Sequence, residues 1–167
     1  NKYIKLAEKF LFNKELPFAL TTSKSSFVLN SSSDTDEVMQ TSIGQGKTQI
    51  TPLHNGLIAS TIANNGVLMK PYTVEKITTQ DGKITIQNFL PEKAGKLCSG
   101  KKAETLKDFM KAVVTEGTAR KLSWLGLGIY GKTGTAEYKK EDGTKGDHSW
   151  FMGFGEKNGK KIAISVI

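Results

Sequence analysis

Cysteine occurs once, at Cys98, which excludes an internal disulfide and any zinc site built from thiolates. Histidine occurs twice, at His54 and His148, and no acidic residue is spaced to partner either one. Both histidines read as surface or capping residues, and metal ligation gains no support. No run of about 18 apolar residues occurs and no secretory leader can be recognised, so none of this sequence is expected to span a membrane. Acidic side chains are in deficit: 16 face 24 basic ones, for a formal net charge of +8. That balance favours anionic surroundings such as nucleic acid, lipid headgroups or wall polymers. The lysines nevertheless come in scattered pairs, as at Lys101-Lys102, Lys139-Lys140 and Lys160-Lys161, and never as a tract interleaved with aromatics. They read as a solvated surface, and nucleic-acid binding is not expected.

The 167 residues suffice for one ordinary domain with a real core. The opening at Asn1 without a Met, and the ending inside an apolar alternation, suggest a piece of a larger protein. Tyr3, Leu6, Ala7 and Phe10 predict an amphipathic helix over 2–13. Residues 21–36, rich in Ser, Thr and Asp, read as a loop. Thr51-Pro52 is a helix start, Leu53, Leu57, Ile58 and Ile62 form its apolar stripe, and Asn64-Asn65-Gly66 is its stop.

Alternating segments at 73–78 and 83–89, joined through Asp81-Gly82, predict a hairpin. A helix over 102–116 is expected to bury Leu106, Phe109, Met110, Val113 and Val114 and to close at Gly117. Strands are predicted at 129–138, 148–155 and 161–167, separated by turns at 141–146 and 157–159. Helices first and an antiparallel meander last make an α+β pattern, an antiparallel sheet flanked by helices. No internal repeat is present.

The first of the late strands carries Lys132-Thr133-Gly134-Thr135. K-T-G is one of three short signatures of serine acyl-enzymes that handle penicillin, beside S-x-x-K and S-D-N or a relative. Four further pieces accompany it in order. They are the opening helix Tyr3-Ile4-Lys5-Leu6-Ala7; Ser42-Ile43-Gly44-Gln45-Gly46 ahead of Thr51-Pro52-Leu53; Ala63-Asn64-Asn65-Gly66 with Lys70-Pro71; and Val113-Val114 through Glu116-Gly117-Thr118-Ala119. Ser149-Trp150-Phe151-Met152-Gly153-Phe154 follows on the next strand. Together they resemble the transpeptidase domain of class B penicillin-binding proteins.

The resemblance implies a penicillin-binding/serine β-lactamase-like fold, with residues 1–167 forming the C-terminal part of one transpeptidase domain. S-x-N is absent, and the single S-x-x-K spelling, Ser99-Gly100-Lys101-Lys102, reads as a helix cap. In the family the nucleophile precedes S-x-N, so serine and lysine are expected outside this sequence, and the fragment alone is expected to be inactive. The implied reaction is peptidoglycan D,D-transpeptidation through a serine acyl-enzyme, on stem peptides ending in D-Ala-D-Ala, with β-lactams as mimics of the donor.

Lys132 would then supply a positive charge for the substrate carboxylate. Thr135 would offer its hydroxyl to the same group and its N–H to the oxyanion. Gly134 would let substrate backbone lie alongside as an added strand, and Thr133, on the other face, would be structural. Glu137 reads as a solvated strand residue near the cleft rim, Trp150 and Phe151 as core or cleft-wall aromatics, and Gln45 and Gly46 as turn geometry. No cofactor is implied.

The implied partners are the stem peptide, β-lactams, the remainder of the same domain, and membrane-bound cell-wall synthesis machinery. The implied location is the outer face of the bacterial cytoplasmic membrane. An apolar sheet face and a strand edge are expected to lie open in these residues alone. A β-lactam sensor and a serine β-lactamase remain as alternatives, because both share K-T-G-T.

Overall fold

The computed structural model describes residues 2–167. Helix α1 (Lys2–Lys9) is shorter than its apolar spacing predicts. It stops because Leu11 turns left-handed, with φ 70. The Phe12 N–H then reaches back to the Ala7 carbonyl (3.1 Å) and the Leu11 N–H to that of Glu8 (3.2 Å), a Schellman closure. Asn13, also left-handed, locks the exit by donating from Nδ2 to the Phe27 carbonyl (2.8 Å) and accepting the Phe27 N–H at Oδ1 (2.9 Å).

The polar stretch that follows is a loop with one bridge, Ser26 to Gln49. Its last residues start a helix the apolar pattern does not announce, α2 (Thr35–Ser42). Asp34 caps it by accepting the Glu37 N–H (2.8 Å), and Asp36 and Glu37 add negative charge to the first turn.

Thr51 and Pro52 open α3 (Pro52–Ala63) as predicted, with Thr51 Oγ1 accepting the His54 N–H (3.2 Å). Asn65 (φ 54) and Gly66 (φ 84) close it. A β-carbon on Gly66 would lie 2.3 Å from the Cys98 carbonyl oxygen, so glycine is required there for space as well as conformation. Leu57, Ile62 and Ala63 are buried, but so are His54, Asn55 and Thr61, whereas Leu53 is at the surface. The buried face is wider than a stripe because the strands Val67–Met69, Lys145–Lys157 and Lys160–Val166 and the helix Gly100–Thr115 all pack around this helix. His54 is therefore a core residue, 1% exposed, and not a surface or capping one. Its Nε2–H donates to the Phe10 carbonyl (2.6 Å), and its ring lies 4.9 Å from that of Phe12.

Two small antiparallel pairs follow, β1 (Val67–Met69) with β4 (Lys93–Lys96) and β2 (Lys76–Thr78) with β3 (Thr85–Asn88). The second is the Asp81-Gly82 hairpin, with shorter arms than its alternation suggests. Helix α4 (Gly100–Thr115) is capped by Ser99, whose Oγ accepts the Lys102 N–H (3.3 Å). It buries Ala103, Met110 and Val114, but Phe109 is 66% exposed because it lies one position off the 103-106-110-114 stripe. A short 3-10 turn (Arg120–Leu125) leads into the main sheet.

That sheet is the predicted meander, β5 (Gly128–Lys139), β6 (Lys145–Lys157) and β7 (Lys160–Val166), in the order β5-β6-β7. Asn158 (φ 52) and Gly159 (φ 73) form the tight turn between the last two. On the inner face Tyr130, Met152, Phe154 and Ala163 pack against Ile58, Ile62, Leu106 and Met110 of α3 and α4. The Tyr130 and Phe154 rings stack at 4.6 Å. The outer face carries Ile129, Phe151, Ile162, Ile164 and Val166 along an apolar groove of about 960 Å³. Among the described residues no helix is long and apolar enough to cross a membrane.

Burial holds the His54 imidazole below its ordinary value of 6.5, with the Phe10 carbonyl offsetting part of the effect. The unfolded chain therefore takes up a proton near that value while the folded chain resists it. Stability is full above it and falls as pH drops through it toward the lowered folded value. Urea unfolding of the intact protein from about pH 7.5 to 5 is expected to record this loss. His54→Gln is expected to remove most of the slope, and an unchanged slope would show that another group carries it.

Candidate active site

Among the described residues β5 is an edge strand that pairs only with β6, in the register Lys132 to Met152, Thr133 to Phe151, Gly134 to Trp150 and Thr135 to Ser149. Opposed residues in an antiparallel pair alternate between those that exchange hydrogen bonds and those that do not. The Lys140 N–H donates to the Thr144 carbonyl (2.8 Å), which identifies the bonded row. Counted back in twos along an unbroken register, Ala136, Gly134 and Lys132 also bond to β6. Thr133 and Thr135 therefore turn their backbone N–H and C=O groups away from β6, to the open edge.

That edge borders a cleft of about 900 Å³. Lys132, Thr133, Gly134, Thr135, His148 and Trp150 form one wall, and Lys24, Ile43, Gly44, Thr48, Thr51 and Asn55 belong to the other. Two lysines and no Asp or Glu line it, so its field favours an anion. Lys24 reaches out of the lining to Glu15 (2.9 Å). The Lys132 ammonium lies folded along the strand, donating to the Thr133 carbonyl (2.6 Å). All four residues of the K-T-G-T motif thus meet one cleft. An extended peptide could add itself to the exposed edge there, with a terminal carboxylate near the ammonium and a developing oxyanion near the Thr135 N–H.

The remaining residues singled out by sequence are distributed around this arrangement. The Thr133 hydroxyl pairs with Thr118 Oγ1 (2.6 Å), tying the strand to the segment after α4. Glu137 pairs with Lys145 (3.3 Å) in the solvated part of the hairpin. Trp150 faces the cleft and Phe151 the outer groove, as alternation requires. His148 is exposed and stacks on Tyr138 at 4.3 Å. Ser99 is not among the cleft-lining residues; it borders a separate depression with Leu97 and Lys102. Among the described residues no three His, Cys, Asp or Glu side chains come together as a metal site.

One contact escaped the sequence reading. Gln45, which its spacing assigns to turn geometry, donates from Nε2 to the Thr135 carbonyl (3.1 Å). Its position between two glycines was the available signal, but nothing in the spacing says which strand a turn residue touches.

The model of the penicillin binding protein transpeptidase domain matches residues 1–167. Peptidoglycan D,D-transpeptidase PbpA of Mycolicibacterium smegmatis is 37% identical over 126 residues, covering 75% of this chain and 25% of that protein. Penicillin-binding protein 3 of Bacillus subtilis is 30% identical over 170 residues, covering 99% of this chain and 24% of that one. The chain therefore spans about a quarter of the length of the curated relatives it matches. Penicillin-binding protein A from Mycobacterium tuberculosis, solved as its imipenem acyl-enzyme complex, superposes with a TM-score of 0.81 at 29% identity, over 96% of this chain and 35% of that one.

The Thr118–Thr133 hydroxyl pair allows a test of Thr133 as a structural residue. Thr133→Val and Thr118→Val are each expected to lower stability by about 0.5–1 kcal/mol in urea unfolding. The double variant is expected to cost no more than either single one, and fully additive losses would mean the hydroxyls act separately.

Proposed function

We propose that this chain, which belongs to the penicillin-binding protein transpeptidase family, supplies the substrate-docking part of a peptidoglycan D,D-transpeptidase. The observation that carries the reading is the open edge of β5, with Thr133 and Thr135 main-chain groups facing a cleft that Lys132 makes cationic and no carboxylate neutralises. A stem peptide ending in D-Ala-D-Ala is an extended chain with an anionic tail, and it matches that edge in both respects.

In the proposed reaction the peptide's N–H and C=O groups pair with those of Thr133 and Thr135. Its carboxylate meets the Lys132 ammonium and the Thr135 hydroxyl, and Gly134 leaves room for close approach. A serine oxygen then attacks the penultimate carbonyl carbon. The new C–O bond forms as negative charge gathers on the carbonyl oxygen, where the Thr135 N–H stabilises it. The C–N bond breaks and D-alanine leaves with the serine's proton on its amine; an acceptor amine later attacks the ester carbonyl, forms the new C–N bond, and gives up one proton to the departing serine oxygen.

The serine and its lysine are proposed to come from residues beyond these 167, since the sequence holds no S-x-N and Ser99 is engaged as the α4 cap. The outer apolar face supports the same view. Ile162 is 74% exposed, and its neighbours Ile164 and Val166 are half exposed, so this face suits a covering by the rest of the domain.

A β-lactam would enter as a mimic of the peptide and stay as a stable ester. The outer face of the cytoplasmic membrane, among wall-synthesis machinery, is the setting that suits the substrate. The names of the relatives, transpeptidases and penicillin-binding proteins, give the sensor and lactamase readings no support.

The test is covalent labelling of the intact protein by a fluorescent penicillin. Wild type is expected to label, and Lys132→Ala and Thr135→Val are expected to slow acylation by about a hundredfold. Thr133→Val is expected to stay within about threefold, because its main chain is unchanged. Absence of any label on wild type would end the transpeptidase reading.

A further inference from the structure

Gln45 sits between Gly44 (φ 79) and Gly46 (φ 77), both in the left-handed region where other residues are strained. The Gln45 N–H donates to the Gln40 carbonyl (2.8 Å) in the last turn of α2. A β-carbon on Gly46 would come within 3.1 Å of Gln40 Oε1. The loop is thereby fitted against the end of α2, and from it the half-buried Gln45 side chain reaches across to β5. Its Nε2 donates to the Thr135 carbonyl at 3.1 Å, joining positions 90 residues apart. An amide bond so near solvent contributes little to stability, which leaves geometry as its main effect.

We infer that Gln45 is a positioning residue for acyl transfer: by holding the Thr135 carbonyl it sets the height and tilt of the open β5 edge, and with them the N–H and hydroxyl that Thr135 presents to substrate. This rests on the transpeptidase reading above. A carbonyl oxygen has two lone pairs. Gln45 engages one and leaves the other for an incoming peptide N–H, so the clamp steadies the edge without filling it. Misplacement of a reacting geometry by even an ångström slows chemistry far more than it weakens binding.

The experiment follows acylation of the intact protein by a fluorescent penicillin, with saturation separating the binding constant from the acylation rate constant. Gln45→Leu, one bond shorter and with no donor, and Gln45→Glu, an acceptor only, are expected to lower the acylation constant about tenfold with binding within about twofold. Thermal midpoints are expected to match wild type. Gln45→Lys, which restores a donor of similar reach, is expected to recover most of the rate.

Unchanged rates in Gln45→Leu and Gln45→Glu would overturn the inference, and faster acylation would show that Gln45 obstructs the edge. A rate loss matched by a fall in thermal midpoint, and not recovered in Gln45→Lys, would make it a structural residue only. If variants and wild type alike take no label, the transpeptidase reading fails and this inference falls with it. If wild type labels and the variants label equally, only the role of Gln45 fails.

Discussion

Among the described residues β5 has a ladder on one side and none on the other, and the rest of the molecule is arranged around that asymmetry. Hydrogen bonds to β6 fix which residues of K-T-G-T face inward, so the alternate ones turn their backbone groups to the open edge, where Lys132 meets the Thr133 carbonyl and Gln45 the Thr135 carbonyl. An unpaired edge in open solvent invites aggregation. Here it borders a cleft whose far wall is built from the residue 43–51 segment and the start of α3, so the edge meets a bounded space and not a flat surface. The charge of that space has one sign, because lysines line it and carboxylates do not.

The two sheet faces divide the packing between them. The inner face is closed by α3 and α4, with Tyr130 and Phe154 stacked against Met110 and Ile62. The outer face holds large apolar side chains beside the glycine pair Gly131 and Gly153, where a β-carbon on Gly131 would fall 2.5 Å from the Phe151 ring. Phe151 can therefore lie down over the strand crossing, and the outer surface becomes a smooth apolar trough. Such a surface suits another layer of structure, which agrees with a chain that spans about a quarter of its curated relatives.

Much of this was legible in the residues. Caps and stops signalled themselves through local chemistry, as with Thr51-Pro52, Ser99, Asn65-Gly66 and Asn158-Gly159, because a cap is an interaction within four positions. The meander was readable from alternation, and the motif stood out by its letters. What stayed hidden depended on distant partners. His54 is polar and was read as exposed, yet a carbonyl at Phe10 and a ring at Phe12 make a place for it in the core. α1 stops early where Leu11 turns left-handed and Asn13, just beyond, is held on Phe27, and no spacing within the helix announces that. Gln45 is the same case at the site: its letter is compatible with any turn, and only the fold brings it to Thr135.

Half of what the open edge offers a ligand is main chain. Amide N–H and carbonyl groups come with every residue except proline, which lacks the N–H, so no other point mutation can erase them at Thr133 or Thr135. Under the proposed function, a variant that takes the peptide and refuses its β-lactam mimic would have to shift the strand as a body. The routes to such a shift run through what supports it from below and beside: the Tyr130–Phe154 stack, the Met110 contact, and the threonine tie to the segment after α4. Escape at this edge is thus expected to arise from repacking at a distance, with the motif's own letters left intact.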